Sequence, residues 1–314
     1  MEKLKYGILS TSSIAPRFIA AVRESGEGEI VALSSRTLEK AEEKAKLWEI
    51  PAFYGSHAEL LNDKNMNIVY ISNVNSQHYT WAKAALEAGK HVICEKPCTT
   101  TETQTRELYH LARQKGLFLM EAEKMLFLPA LLEVKRRIEK GELGKVTMVE
   151  MSHSFPASYN GWMFDAAAGG GTLLSSGIYA VQLLIWMFGE IESIRGTVSK
   201  LETGVEWQYI LTGSTKSGVL FSLKNSTRAK LDNTARIFGE KGYIEIPEYW
   251  KARKAIFHTD TGEAVFHEPC QHELIYEVRH IAECFRQGLP ESPVVTEEIS
   301  ALGIRALEQV KASW

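Results

Sequence analysis

The sequence predicts an α/β fold in which an N-terminal doubly wound parallel sheet is followed by an α+β domain with a large, mostly antiparallel open sheet. Three observations predict it. The first third of the chain alternates continuous apolar runs of about four to eight residues with helical periods, as parallel strands buried on both faces require. Beyond Glu121 the apolar segments are joined by short glycine turns, which is the pattern of antiparallel sheet. The length of 314 residues also exceeds what one small core organises, since a typical domain holds roughly 100–200. We read 1–122 and 123–314 as the two domains, with the C-terminal helix expected to pack back on the first.

In the first domain the strands are Tyr6–Ser10, Glu29–Ser34, Asn67–Ser72, His91–Glu95 and Leu117–Met120. Helices between them carry their own punctuation. Ser56 with Glu59 and Thr101 with Gln104 have capping-box spacing, and Gly89 and Gly116 stand where a left-handed residue ends a helix. Strand and helix in strict alternation imply right-handed crossovers and a doubly wound sheet. The second domain opens with a helix from about Pro129 to Lys140, a strand from Lys145 to Phe155 and a glycine-introduced helix from Thr172 to Phe188. Strands follow near 191–201, 205–213, 218–226, 233–239, 243–247, 254–259 and 264–268. Turns at Gly218, Gly242 and Gly262 join them into an open meander. Two helices, Cys270–Gln287 and Thr296–Ser313, close the chain on either side of a proline-marked loop.

Composition excludes several functions. The chain is 45% hydrophobic and 24% charged with a net charge of −3, and its Lys and Arg interleave with Glu along helices, so no nucleic-acid partner is expected. The longest uncharged apolar stretch, Ile178–Phe188, is about half of a bilayer span, and Met1–Lys5 has no secretory character. A cytoplasmic protein with no membrane association is therefore expected. Cys94, Cys98, Cys270 and Cys284 form no Cys-x-x-Cys pair and are read as reduced, mostly buried thiols. No Cys/His set has zinc spacing, so no metal is expected, and Cys270 with His272 is read as helix-start chemistry.

The first strand-to-helix turn reads Gly7-Ile8-Leu9-Ser10-Thr11-Ser12-Ser13-Ile14-Ala15. In a dinucleotide fold this turn brings backbone against a pyrophosphate and aims a helix N-terminus at it. Only the first glycine of the usual G-x-G-x-x-G pattern is present, with Ser10 and Ser12 at later small positions. Ser10, Thr11, Ser12, Ser13 and Ile14 are the candidate cradle, in which hydroxyls supplement the backbone amides. Taken by itself, a plain strand-helix turn is the alternative. At the tip of the second strand, Ser34-Ser35-Arg36-Thr37 lacks the acidic residue that would bind a ribose diol and repel a 2′-phosphate. Ser35 and Arg36 offer hydroxyl and guanidinium donors to that phosphate, which favours NADP while admitting NAD.

Glu95-Lys96-Pro97 ends an apolar strand at its carboxyl edge, where open α/β sheets bind ligands. Together with Gly7–Ala15, Ser72-Asn73-Val74-Asn75-Ser76-Gln77-His78 and the Gly169–Tyr179 segment, this triplet makes the whole chain resemble the Gfo/Idh/MocA oxidoreductases. The resemblance implies a Rossmann domain, NAD(P)-dependent chemistry on a sugar, polyol or diol, and a second domain whose sheet joins the chain into a homodimer. It makes Ser72, Asn73, Asn75, His78, Glu95 and Lys96 cofactor contacts and places the catalytic lysine at Lys96. Where relatives carry Asp and His four residues apart, this chain has Ser175 and Tyr179, a spacing that sets both on one helical face. The Gly177-Ile178-Tyr179 stretch resembles the dimeric dihydrodiol dehydrogenase branch, in which tyrosine is the proposed proton donor. A phenol titrates near 10, and an ammonium within about 4–6 Å favours phenolate. The expected chemistry is hydride transfer between nicotinamide and a carbinol carbon, with Tyr179 exchanging the alcohol proton and Lys96 stabilising charge on oxygen. An ordinary aromatic in an apolar helix is the alternative for Tyr179. Phe155 and Trp162 are read as pocket wall or core, and Lys124 as a contact for an anionic substrate group or an exposed side chain. The rival function is a catalytically silent NADP-binding sensor.

Overall fold

The computed structural model describes residues 3–157, 161–269 and 272–314. Its chain divides into two compact units, Met1–Lys124 with His272–Ser300, and Met125–Gln271 with Ala301–Trp314.

The first unit is built on six parallel strands: β1 (Leu4–Leu9), β2 (Gly28–Ser34), β3 (Ala52–Tyr54), β4 (Ile68–Ile71), β5 (His91–Glu95) and β6 (Leu119–Ala122), in the order β3-β2-β1-β4-β5-β6. Five helices alternate with them, α1 (Ala15–Ser25), α2 (Leu38–Leu47), α3 (His57–Leu61), α4 (Asn75–Glu87) and α5 (Glu102–Lys115). Ile68, Val69, Ile71, Val92 and Ile93 are wholly buried, each stabilising the sheet by roughly 1.5–3 kcal/mol. The order reverses between β1 and β4, and ligands bind beyond the carboxyl ends of the strands at such a switch point. Ser56 and Thr101 accept the amides of Glu59 and Gln104, each at 3.2 Å. The carbonyl of Gln104 reaches back to the Thr100 amide instead of that of Thr101. Gly89 and Gly116 are left-handed, with φ of 76° and 62°.

Two strands differ from expectation. The half-buried edge strand β3 is only three residues long, too short to register as an apolar run. Strand β6 begins at Leu119 and continues through Glu121, which pairs with Cys94, while Ala122 pairs with Glu95. The charge on Glu121 looks like a strand end, yet a carboxylate oxygen there accepts the Cys98 amide at 2.8 Å.

The second unit contains α6 (Pro129–Glu139), β7 (Val146–Ser154), a π-helical turn (Leu173–Gly177) and α7 (Ile178–Phe188). Strands β8 (Ile191–Lys200), β9 (Glu206–Thr215), β10 (Leu220–Ser226), β11 (Thr234–Gly239), β12 (Gly242–Pro247), β13 (Lys254–Thr259) and β14 (Gly262–His267) follow. The sheet order is β14-β13-β12-β11-β7-β10-β9-β8. The open meander is therefore interrupted. Strand β7 lies between β11 and β10 and runs parallel to β10, whereas every other pair is antiparallel. The tight glycine turns dictate only hairpin neighbours; the longer 227–233 connection leaves room for β7 between its two strands.

Helix α8 (Leu274–Arg286) belongs to the first unit and packs along α1. Its far end places Phe285 edge-on to His91 at 4.9 Å and 5.1 Å from Phe118. Helix α9 (Glu297–Ala312) starts in the first unit, where Glu297 and Glu298 pair with Arg113 and Arg106 of α5, and ends in the second. No described helix is long and apolar enough to cross a membrane.

Candidate active site

The turn after β1 owes its form to serine. Gly7 itself lies inside β1 and not in the turn, where a Cβ would come within 2.2 Å of Met66 Sδ. Ser10 makes the reversal with φ of 96°, a left-handed backbone that costs a non-glycine residue about 1–3 kcal/mol, and its amide donates to the Ser34 carbonyl at 3.2 Å. Ser12 Oγ donates to Ser72 Oγ at 2.8 Å, which ties the turn to the end of β4. Thr11 Oγ1 lies 3.4 Å from Ser35 Oγ at the end of β2. Ile14 supplies no side-chain cap to α1, and no acidic side chain stands in the first turn of that helix. The Ala15 amide donates to the Ser12 carbonyl at 3.3 Å, Pro16 has no N–H and the Arg17 amide donates to the Ile14 carbonyl at 3.0 Å, so what faces the turn, which includes exposed Ser13, is the positive end of the helix dipole.

At the tip of β2, Ser35 is buried and its amide donates to the Tyr54 carbonyl at 3.2 Å, whereas Arg36 is exposed. His57 lies 2.8 Å from Ser34 Oγ through Nδ1. Burial, helped by the Arg36 guanidinium, pushes its imidazole down to about 4. At neutral pH His57 is uncharged, so Arg36 is the cation at this tip.

The end of β5 gathers the remaining predicted residues of the first unit. Tyr70 Oη donates to Glu95 Oε1 at 2.5 Å. His78, buried on α4, is held between two carbonyls, that of Pro97 at 2.8 Å from Nδ1 and that of Asn73 at 3.0 Å from Nε2. Its ring therefore fixes the segment after Lys96 against the start of α4. Asn73 Nδ2 donates to Gln77 at 3.1 Å, and Asn75 is buried two residues further on. Lys96 is half-buried, and burial pushes its ammonium below the ordinary lysine range, with Glu95 and Glu123 opposing and Lys124 adding to the push. Lys124 is 6% exposed, which overturns the reading of it as a solvated side chain. Glu121 and Glu123 are fully buried at the same edge; sequence reasoning missed both because Glu121-Ala122-Glu123-Lys124 has the look of a polar surface stretch.

In the second unit the predicted helix begins as a π turn, and α-helical geometry starts only at Ile178. Single π turns concentrate at functional sites. Ser175 lies in the turn and Tyr179 just beyond it, both 9% exposed. Buried Glu206 of β9 accepts the Leu173 amide at 2.9 Å, and Asn225 of β10 donates to Ser176 Oγ at 2.7 Å, so the turn is anchored to the sheet. Phe155 is half-buried beside His153, which stacks on Trp250 at 3.8 Å; neither His153 nor Trp250 carried a signal in the sequence. Trp162 is 42% exposed on a short 3₁₀ turn, which removes its reading as core. Cys270 lies outside the described residues; Cys94, Cys98 and Cys284 are buried free thiols. Among the described residues no three His, Cys, Asp or Glu side chains come together as a metal site would need.

A parallel sheet of order β3-β2-β1-β4-β5-β6, with a serine-rich turn leading into α1 at its switch point, is the architecture of the dinucleotide-binding class of proteins. Comparison with known proteins gives the family. Residues 4–123 match the model of the oxidoreductase family with an NAD-binding Rossmann fold, and residues 131–245 that of the GFO/IDH/MocA C-terminal domain. The chain is 34% identical over 321 residues to the trans-1,2-dihydrobenzene-1,2-diol dehydrogenase of Mus musculus, covering 98% of this chain and 96% of that one. Among solved structures it is similar to KijD10, a 3-ketoreductase from Actinomadura kijaniata in complex with NADP and TDP-benzene (TM-score 0.91, 22% identity, 99% and 98% of the two chains). It is likewise similar to the aldose-aldose oxidoreductase from Caulobacter crescentus complexed with glycerol (TM-score 0.90, 23% identity, 99% and 97%). The chain belongs to the Gfo/Idh/MocA oxidoreductase family.

Proposed function

We propose that the protein is an NADP-dependent oxidoreductase that moves hydride between the nicotinamide and a carbinol or carbonyl carbon of a sugar, polyol or trans-diol. The observation that carries this reading is the placement of Lys96, a half-buried lysine of lowered proton affinity, on the sheet edge that also holds the uncapped start of α1. The names of the relatives, a diol dehydrogenase and a ketoreductase in complex with NADP, support the same substrate chemistry. In this reading the first unit binds the cofactor and the second the substrate.

The bound nicotinamide supplies or accepts the hydride. Ser10, Thr11, Ser12, Ser13 and Ile14 would hold a pyrophosphate, and Ser35 with Arg36 would take a 2′-phosphate. Ser72, Asn73, Asn75 and Glu95 would contribute further cofactor contacts, and His78 fixes the Asn73 and Pro97 segments against each other. Lys96 stabilises negative charge on the substrate oxygen, and Tyr179 gives or takes its proton. Lys124, Phe155, Trp162 and Ser175 bind the substrate. A panel of sugars, polyols and trans-diols, each with NADP, tests the proposal: NADPH should form with at least one of them. Tight NADPH binding with no turnover on any member would favour the sensor reading.

Arg36→Ala tests the cofactor choice separately. Losing a charge-assisted contact worth about 1.5–3 kcal/mol should weaken NADPH binding roughly 10- to 100-fold and leave NADH binding within about threefold. Equal losses for both cofactors would remove Arg36 from the 2′-phosphate site.

The open face of the second sheet supports a homodimer. Met148, Ile210 and Leu220, on β7, β9 and β10, are 43%, 57% and 53% exposed. Large apolar side chains grouped on one sheet face mark an interaction surface, and a second copy is the occupant that the family resemblance implies. A sedimentation mass of twice the 35.2 kDa chain is expected. A cytoplasmic location suits the buried free thiols.

A further inference from the structure

The tip of β2 rests on a second layer of residues that the proposed cofactor contacts do not include. The chain leaving β3 runs from Tyr54 through Gly55 into α3 directly against this tip. Strand pairing sets Ser34 opposite Tyr54, and the Ser35 amide donates to the Tyr54 carbonyl at 3.2 Å. A Cβ on Gly55 would come within 3.1 Å of Leu38 Cβ and 3.2 Å of the Leu38 nitrogen, so this segment lies in close contact with the start of α2. His57, the first residue of α3, completes the layer. Its Nδ1 is 2.8 Å from Ser34 Oγ, and both residues are buried. The Trp81 ring of α4 meets the imidazole edge-on, with the ring centres 4.9 Å apart.

Ser34 joins this layer to the phosphate turn. Successive side chains of an extended strand point to opposite sides, and here Ser34 Oγ reaches His57 while Ser35 Oγ lies 3.4 Å from Thr11 Oγ1. The Ser34 carbonyl accepts the amide of Ser10, the left-handed residue of the turn, at 3.2 Å. One residue is thus tied to the turn by its backbone and to α3 by its side chain, and it leads directly into Ser35 and Arg36. The turn has a further anchor in the bond between Ser12 and Ser72, so losing His57 bears on the tip more than on the turn. A buried hydroxyl has no water to replace a lost partner, and the imidazole is therefore worth more here than at the surface. Burial, followed by the Arg36 guanidinium, keeps the ring uncharged at neutral pH. His57 then attracts no phosphate by charge, and what it supplies is the hydrogen bond to Ser34.

We propose that His57 is a positioning residue for cofactor choice: by holding Ser34 it sets Ser35 and Arg36 where they grip a 2′-phosphate, and so favours NADP over NAD. This role rests on Ser35 and Arg36 being the 2′-phosphate site, as read above. Of the two cofactors only NADP carries that phosphate, so a displaced tip weakens NADP binding and leaves the contacts shared with NAD in place.

Fluorescence titration of the full chain with NADPH and with NADH tests the role. In His57→Phe, which fills the space without a ring nitrogen, NADPH should bind about tenfold more weakly and NADH within about threefold of wild type. His57→Asn, whose side-chain amide takes the place of Nδ1, should restore the preference to within about threefold. The double variant His57→Phe/Ser34→Ala should lose no more NADPH affinity than His57→Phe, because both changes remove the same hydrogen bond. Equal losses of NADPH and NADH binding in His57→Phe would show a general structural role and overturn the proposal, as would no recovery in His57→Asn or losses that add in the double variant. A wild type that binds the two cofactors alike would strike the 2′-phosphate reading and this role with it. A wild-type preference for NADPH that survives unchanged in His57→Phe would strike the role of His57 alone.

Discussion

Lys96→Met is expected to lower turnover at least about 100-fold while NADPH binds as it does to the wild type. Methionine keeps the length and most of the apolar stem of lysine but cannot stabilise charge on a substrate oxygen. The ammonium it removes is unusual, because burial lowers its proton affinity while Glu95 and Glu123 hold it up. A group so balanced can respond to a charge that develops during reaction, whereas a solvated lysine at the same place would be screened. Tyr179→Phe should cost a similar factor by removing only the exchangeable proton. The buried setting of Tyr179, next to a π turn and not within an uninterrupted helix, is what separates it from the other aromatics of α7. Stopped-flow measurement of hydride transfer checks both variants. Loss of turnover accompanied by equal loss of NADPH binding would mean that the substitution acts through the cofactor site or the fold, and turnover within threefold of wild type would remove that residue from the mechanism.

Much of this was legible in the sequence, for a physical reason. Parallel strands buried on both faces must be continuous apolar runs, so β1, β2, β4 and β5 stand out in the letters, and the strong stop at Glu95-Lys96-Pro97 falls where the fold places its ligand edge. The hairpins from β8 to β14 are likewise written in local turn chemistry. What was not legible depends on contacts between distant segments. Strand β7 pairs in parallel with β10, and nothing local to either records it. Glu123 carries no local sign of burial, and Lys124 reads equally as a substrate contact or an exposed side chain; both are buried because β6 lies two residues further along than its apolar run suggests. Glu277 belongs to a helix more than 150 residues after them in the chain, and an isolated glutamate at a helical period carries no sign that it is wholly buried. The phosphate turn falls between these cases. Its serines suggested a cradle, but the left-handed backbone of Ser10 and the Ser12–Ser72 bond emerge only from the fold.

The glycine run before Tyr179 offers the second large effect, and it acts through stability. Gly171 has φ of 112°, outside the range that side chains adopt easily, and a Cβ there would lie 2.1 Å from Glu206 Oε1. That oxygen accepts the Leu173 amide at 2.9 Å and so caps the π turn with a carboxylate at its positive end. Burial raises the proton affinity of Glu206, while the Leu173 amide and Lys311 favour its charged form. Gly171→Ala must therefore both strain the backbone, at about 1–3 kcal/mol, and displace the carboxylate, leaving a buried amide unsatisfied at about 1–3 kcal/mol more. A total of roughly 2–6 kcal/mol predicts a fall of about 4–24 °C in the melting temperature, taking about 2–4 °C per kcal/mol for domains of this size. Calorimetry reads it directly. Glu206→Gln separates the two contributions, because the amide oxygen can still accept from Leu173 without the carboxylate's charge, so it should lose clearly less than Gly171→Ala. An alanine variant that melts within 1 °C of wild type would mean that the turn can relax away from Glu206, and the tight glycine passage would then have no bearing on where Ser175 and Tyr179 are held.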